Sequence, residues 1–170
     1  IHGKKLNIID VPGYFDFAGE MAGPLYAVEG AVLVMSAVTG LSTGFEKAWN
    51  ASGKRGIARM IVVTQVDREH INYRKVLDDL RAAYGHTIIP TVLPIGEGAN
   101  FKGVVDVLTG KAFMGSGKDR KEVPVPADME ALVEEAIEAC HEAAAGTSEE
   151  LMEKFFDEGR LSEDEMLRGL

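Results

Sequence analysis

The first hundred residues alternate between short apolar runs and segments with helical spacing. Residues 5–10, 31–38, 59–66 and 91–95 are dense in aliphatic and β-branched side chains. Runs of this length and composition predict strands buried on both faces, as in a parallel sheet. Between them, Tyr73, Val76, Leu77, Leu80 and Tyr84 fall on one face of a predicted helix over 72–84, and Gly85 is its natural stop. Phe45, Ala48 and Trp49 share a face in the preceding segment, which places Trp49 in the core. A strand repeat of about 25–30 residues is that of βαβ units with right-handed crossovers.

After Ile95 the pattern changes. Residues 96–103 read as a loop, 104–108 as a short strand, and 115–121 as a glycine-rich, charged connection. Val123-Pro124-Val125-Pro126 reads as edge or hairpin chemistry, because proline cannot donate to a central ladder. From residue 127 onward the spacing is helical. Met129, Leu132, Val133, Ala136, Ile137, Cys140 and Ala144 form one stripe, predicting a helix of about five turns. Thr147 with Glu150, and Ser162 with Glu165, predict capping boxes that open two shorter helices. The reading is therefore an α/β core over 1–99 followed by an α+β subdomain over 100–170.

Composition narrows the class. The chain has 170 residues, 46% of them hydrophobic and 26% charged, as in a globular domain. No apolar run reaches the ~18 residues of a membrane span, so no membrane association is expected. A formal net charge of −9 argues against a broad nucleic-acid footprint on this segment. The single Cys140 has no disulfide partner, which fits a reducing, cytoplasmic setting, and it reads as a small apolar residue on a helix face. The first residue is Ile1 rather than Met, and the last follows soon after a helix begins, so the chain is expected to continue on both sides.

Two segments carry chemistry. The first is Asp10-Val11-Pro12-Gly13-Tyr14, directly after an apolar run. A carboxylate at a strand end can hold a magnesium ion through water, and Gly13 lets a backbone N–H approach a terminal phosphate. A loop held by that phosphate switches by order and disorder when it is lost. The same residues also read as a strand with a tight Pro-Gly turn. The second is Thr64-Gln65-Val66-Asp67, ending another apolar run. A carboxylate there can accept both N1–H and the exocyclic N2–H of guanine, a donor pair that adenine lacks. Taken alone it reads more readily as a strand-ending turn with Asp67 and Arg68 in solvent. Together, at the carboxyl ends of strands in one parallel sheet, the two segments make a nucleotide site.

With these residues in view, the chain resembles the translational GTPases. Residues 7–17 resemble their switch II segment, and Gly30-Ala31-Val32-Leu33-Val34, Ser36-Ala37-Val38 and Thr64-Gln65-Val66-Asp67-Arg68 follow in that family's order. Phe101-Lys102-Gly103-Val104-Val105-Asp106, Pro126-Ala127-Asp128-Met129 and the run over 148–154 are similar to the insert subdomain of bacterial elongation factor G. The resemblance covers essentially the whole chain. It implies a partial P-loop GTPase sheet with an insert, binding GTP or GDP with magnesium and acting in the cytoplasm on the ribosome. It further implies that Asp10 holds the metal through water, Gly13 senses the γ-phosphate, Tyr14 stands at the catalytic position, and Asp67 reads guanine. The insert, with its acidic ridge, is implied as a contact for the ribosomal stalk protein.

The departures from the family pattern carry information. Histidine usually follows Pro-Gly and orients the attacking water; here the residue is Tyr14, which cannot become an imidazolium. Tyr14 followed by Asp16, Phe17, Gly19 and Glu20 is similar to elongation-factor-G-like paralogues rather than to the main translocase. The guanine motif, usually Asn-Lys-x-Asp, has Thr64 and Gln65, which removes the lysine cation and keeps Asp67. The alternative is a non-hydrolysing ribosome-binding or regulatory module. No phosphate-cradling loop precedes Asp10. Ala112-Phe113-Met114-Gly115-Ser116-Gly117-Lys118-Asp119 approximates one, but it ends in Asp119 where a magnesium-binding hydroxyl belongs, and no helical pattern follows. The segment alone is therefore expected to bind nucleotide weakly and to be inert. His2, His70, His86 and His141 share no metal-ligand spacing, and Glu130, Glu134, Glu138 and Glu142 line one exposed helix face.

Overall fold

The computed structural model describes residue 3, residues 5–115 and residues 117–170, with backbone alone at position 15; His2 and Ser116 lie outside this set. The chain divides into two compact units, Ile1–Gln65 and Val66–Leu170.

In the first unit a 3-10 helix over Phe15–Met21 leads into α1 (Ala22–Ala27), β1 (Gly30–Ser36), α2 (Thr43–Arg55) and β2 (Ala58–Thr64). β1 and β2 pair in parallel, Val32 beside Met60 and Val34 beside Val62, and α2 is the crossover such a pair requires. α2 starts because Ser42, in extended backbone, accepts the Phe45 N–H at 3.2 Å. It stops where Gly56 takes a left-handed φ of 66°, with Lys54 and Arg55 complementing the dipole of the last turn. Burial in β1 has period two. Leu33 and Met35 are buried, as is Phe45 of α2, whereas Val32 and Val34 are 63% and 61% exposed.

Three expectations change here. The sheet is covered on one face rather than two, since Val32, Val34, Met60 and Val62 share an exposed face. Residues 5–10 form no strand. Among the described residues β1 and β2 pair only with each other, and an apolar run has no β-structure without a neighbour to take its backbone groups. Leu6, Ile8 and Ile9 are accordingly exposed. Trp49 is half-buried rather than in the core, and the Arg59 guanidinium covers its ring at 3.8 Å.

The second unit contains α3 (Tyr73–Tyr84), β3 (Val92–Ile95), β4 (Gly103–Asp106), β5 (Lys111–Met114), β6 (Lys121–Val123), α4 (Glu130–Ala145), α5 (Glu149–Glu158) and α6 (Glu163–Gly169). β3 reads in sequence as one more parallel strand, but it pairs antiparallel with β4 in a β3-β4-β5-β6 meander. The connection over 96–102 is too short for a parallel crossover, which takes about a dozen residues or more. β6 is one of the two edge strands, and Pro124 follows it directly. One core joins this sheet to the helices. Leu93, Val105, Val107 and Ala112 cluster with Val133, Ala136, Cys140 and Ala144 of the α4 stripe, and with Leu151, Leu161 and Met166.

The caps are resolved individually. Ser162 and Glu165 form the predicted capping box. The other shifts by one residue: the Thr147 hydroxyl turns back to donate to the Ala144 carbonyl at 2.6 Å, closing α4. Ser148 then opens α5 by accepting the Leu151 N–H at 3.2 Å.

Candidate functional site

The switch-like segment lies in the first unit. Asp10, Val11, Pro12 and Gly13 are irregular backbone, so Asp10 does not terminate a strand. Tyr14 is the residue before the 3-10 helix; its carbonyl accepts the Phe17 N–H at 3.0 Å and its side chain is 79% exposed. Gly44, in the first turn of α2, positions the segment. A Cβ on Gly44 would lie 2.7 Å from the Gly13 carbonyl oxygen, so only glycine permits this approach. Nothing lies within 4 Å of where a Cβ on Gly13 itself would sit. The Asp10 carboxylate is exposed, and no described residue hydrogen bonds to it or pairs with it.

The parallel pairing of β1 and β2 brings their carboxyl ends, Ser36 and Thr64, side by side. Thr64 is held on both sides of its Cα. Its hydroxyl donates to the Met35 carbonyl at 3.1 Å, and its carbonyl accepts the Ala37 N–H at 2.9 Å. Gln65 takes a left-handed φ of 61°, rare for a residue with a side chain. Its side-chain oxygen accepts a hydrogen bond from the Ser36 hydroxyl, and the Ser36 oxygen in turn accepts the Val38 N–H at 3.1 Å.

Val66 and Asp67 open the second unit. The Val66 carbonyl accepts the Gly98 N–H at 3.1 Å. Gly98 has a φ of 56°, and a Cβ there would come within 3.1 Å of the Arg68 carbonyl oxygen. The loop carrying Asp67 is thus seated on the turn that follows β3. Its neighbour Glu97 anchors the start of α3 by accepting the Tyr73 N–H at 2.9 Å. Asp67 is exposed, and its carboxylate has no described partner. Sequence reading overlooked Ser36 as a side chain that holds Gln65, and Gly98 as the seat of the Asp67 loop. Only the Gly96-Glu97-Gly98 spacing hinted at the second.

An unpaired, exposed carboxylate at Asp10 fits an ion held through water. Among the described residues no three His, Cys, Asp or Glu side chains converge on a metal position. A magnesium ion there would take its other oxygens from water and phosphate. The phosphate-loop look-alike dissolves into the meander: Ala112, Phe113 and Met114 are in β5, and Gly117–Asp119 is a single 3-10 turn, with no helix N-terminus to receive phosphate.

His141, Tyr73 and Cys140 are half-buried or buried in the second unit. His141 accepts the Leu161 N–H at Nδ1, 3.2 Å away, and stacks on Phe155. Burial, then the charge of Arg160, push its imidazole below the usual range. Burial pushes the Tyr73 phenol up to about 12 and raises the Cys140 thiol. Glu130, Glu134, Glu138 and Glu142 are exposed along α4.

The family model of the elongation factor Tu GTP binding domain matches residues 1–157. The chain is also similar to a crystal structure of a protein from Thermus thermophilus, with 34% sequence identity and a TM-score of 0.83. That match covers 94% of this chain and 24% of the Thermus chain, so the chain spans about a quarter of that protein's length. No helix among the described residues is long and apolar enough to cross a membrane.

Proposed function

Because this chain belongs to the elongation factor Tu GTP binding domain family, we propose that it carries the switch and guanine-reading parts of a ribosomal GTPase of the elongation factor G type. The observation that carries this reading is the state of Asp10 and Asp67. Each lies within the matched residues 1–157, and each carboxylate is exposed without a described partner. Asp67 accepts from the two guanine N–H groups, a pair that an adenine nucleotide cannot offer. Gly13, with open space at its α-carbon, gives its N–H to the terminal phosphate. Asp10 holds the magnesium ion through water; the ion supplies charge neutralisation on the phosphate oxygens. Tyr14 is exposed, and in this reading its hydroxyl holds the attacking water.

Residues 100–170 form the insert in this reading, and the insert, with the exposed glutamate face of α4, is the surface that meets a ribosomal partner such as the stalk protein. The protein acts in the cytoplasm, where the ribosome is. Single-turnover GTP hydrolysis by the full-length protein, with and without ribosomes, tests the proposal. Stimulation by ribosomes is the expected outcome. GTP binding without ribosome-stimulated turnover favours instead the non-hydrolysing regulatory module, the reading to which Tyr14 in place of histidine lends weight.

A further inference from the structure

We propose that Ser36 is a positioning residue for nucleotide binding: its hydroxyl clamps Gln65 so that the Gln65 amide nitrogen faces the ligand as a neutral donor. The inference rests on the guanine-nucleotide reading of Asp67. Thr64 and Gln65 replace the Asn-Lys pair of the resembled motif, and the structure gives each a different employment. The Thr64 hydroxyl is committed to the Met35 carbonyl, so Thr64 holds the end of β2 and leaves Gln65 as the side chain available to a ligand. Gln65 is exposed and sits in left-handed backbone that a residue with a Cβ seldom adopts. Such conformations persist where surrounding contacts impose them and concentrate at binding sites.

The Gln65 side chain is also held, by a hydrogen bond from Ser36. The Val38 amide can only donate, and it donates to the Ser36 oxygen. The Ser36 hydroxyl donates in turn to the Gln65 side-chain oxygen. The amide nitrogen must then point away from Ser36, and no described residue accepts from it. Two N–H groups are thus presented with their orientation already set. They suit an uncharged acceptor on the nucleoside half of the ligand, such as a ribose oxygen, better than a phosphate, which a lysine cation would favour. Orientation in the free protein removes part of the ordering cost of binding.

The test is equilibrium titration of fluorescent GDP into the full-length protein and its variants. Ser36→Ala and Gln65→Ala are each expected to weaken binding about fivefold, as for one neutral hydrogen bond. The double variant should be no weaker than either single one, because the two act as a unit. Ser36→Thr, which keeps the hydroxyl, should restore wild-type affinity. In a Gln65→Lys background Ser36→Ala should change affinity less than about twofold, since lysine offers no acceptor to clamp. Losses that multiply in the double variant, or an equal loss from Ser36→Ala in the lysine background, would overturn the proposal and leave Ser36 a structural residue. If Ser36→Ala fails to fold, an unchanged affinity for Gln65→Ala overturns it on its own. Wild-type protein that binds no GDP at millimolar concentration sinks the guanine reading and this inference together; wild-type binding indifferent to Ser36 sinks this inference alone.

Discussion

Tyr14, Gln65 and Asp67 show how far single residues can be read. What each can donate or accept was legible from residue type, because a phenol, an amide or a carboxylate carries its hydrogen-bonding capacity with it. Their settings were not. The left-handed backbone of Gln65 and its bond from Ser36 join residues 29 apart, and no local pattern announces such a pairing. His141 makes the same point. No sequence spacing marks it, yet it accepts a backbone N–H that only the neutral imidazole can receive. Its folded-state pKa lies below the ordinary 6.5, so folding favours the neutral form. The stability it contributes is complete above about pH 6.5 and is lost as pH falls through the folded value. An NMR titration of the His141 ring should give a midpoint below 6.5, and a midpoint at or above 6.5 would contradict this account.

At the scale of elements, helices were read more accurately than strands. A helix carries its own hydrogen bonds and caps within a few residues, so the α4 stripe and the Ser162–Glu165 box were visible locally. A strand exists only with its partner, which explains why residues 5–10 are irregular and why β3 turns antiparallel. The cap at α6 yields a prediction of its own. Glu165 is held well below the usual carboxylate range, at about 2, by the Lys154 ammonium at 2.6 Å and by the Ser162 hydroxyl and N–H. Its contribution is therefore present above about pH 4.5 and is lost as pH falls toward 2. Ser162→Ala should raise the Glu165 pKa and lower unfolding stability by about 1 kcal/mol, as loss of an N-cap does. Urea denaturation checks the stability, and an unchanged midpoint would show that Lys154 suffices. Gly44→Ala tests the first unit in the same spirit. The added Cβ meets the Gly13 carbonyl, so amide exchange over residues 14–21 should quicken by about tenfold, whereas unaltered exchange would mean that α2 does not hold the switch segment.

Across the whole molecule, charge and apolar exposure are unevenly shared. Most of the acidic residues lie in Val66–Leu170, many of them on α4, α5 and α6. The Ile1–Gln65 unit instead bares Val32, Val34, Met60 and Val62 on one sheet face, together with Leu6 and Ile8. The sheet face over Val32, Val34, Met60 and Val62 is a contiguous apolar surface, and such a surface marks a place that other structure covers. The isolated 170-residue chain should therefore bind the dye ANS and self-associate with rising concentration. Monomeric sedimentation without dye binding would show that the face is tolerated bare.

The central claim is that these residues read guanine, and one measurement addresses it most directly: competitive titration of GDP and ADP into the full-length protein, wild type beside Asp67→Ala. GDP should bind at least about a hundredfold tighter than ADP, and Asp67→Ala should remove most of that preference, as expected for two hydrogen bonds to a charged acceptor. Equal affinity for the two nucleotides in the wild type, or a guanine preference that survives Asp67→Ala, would contradict the account.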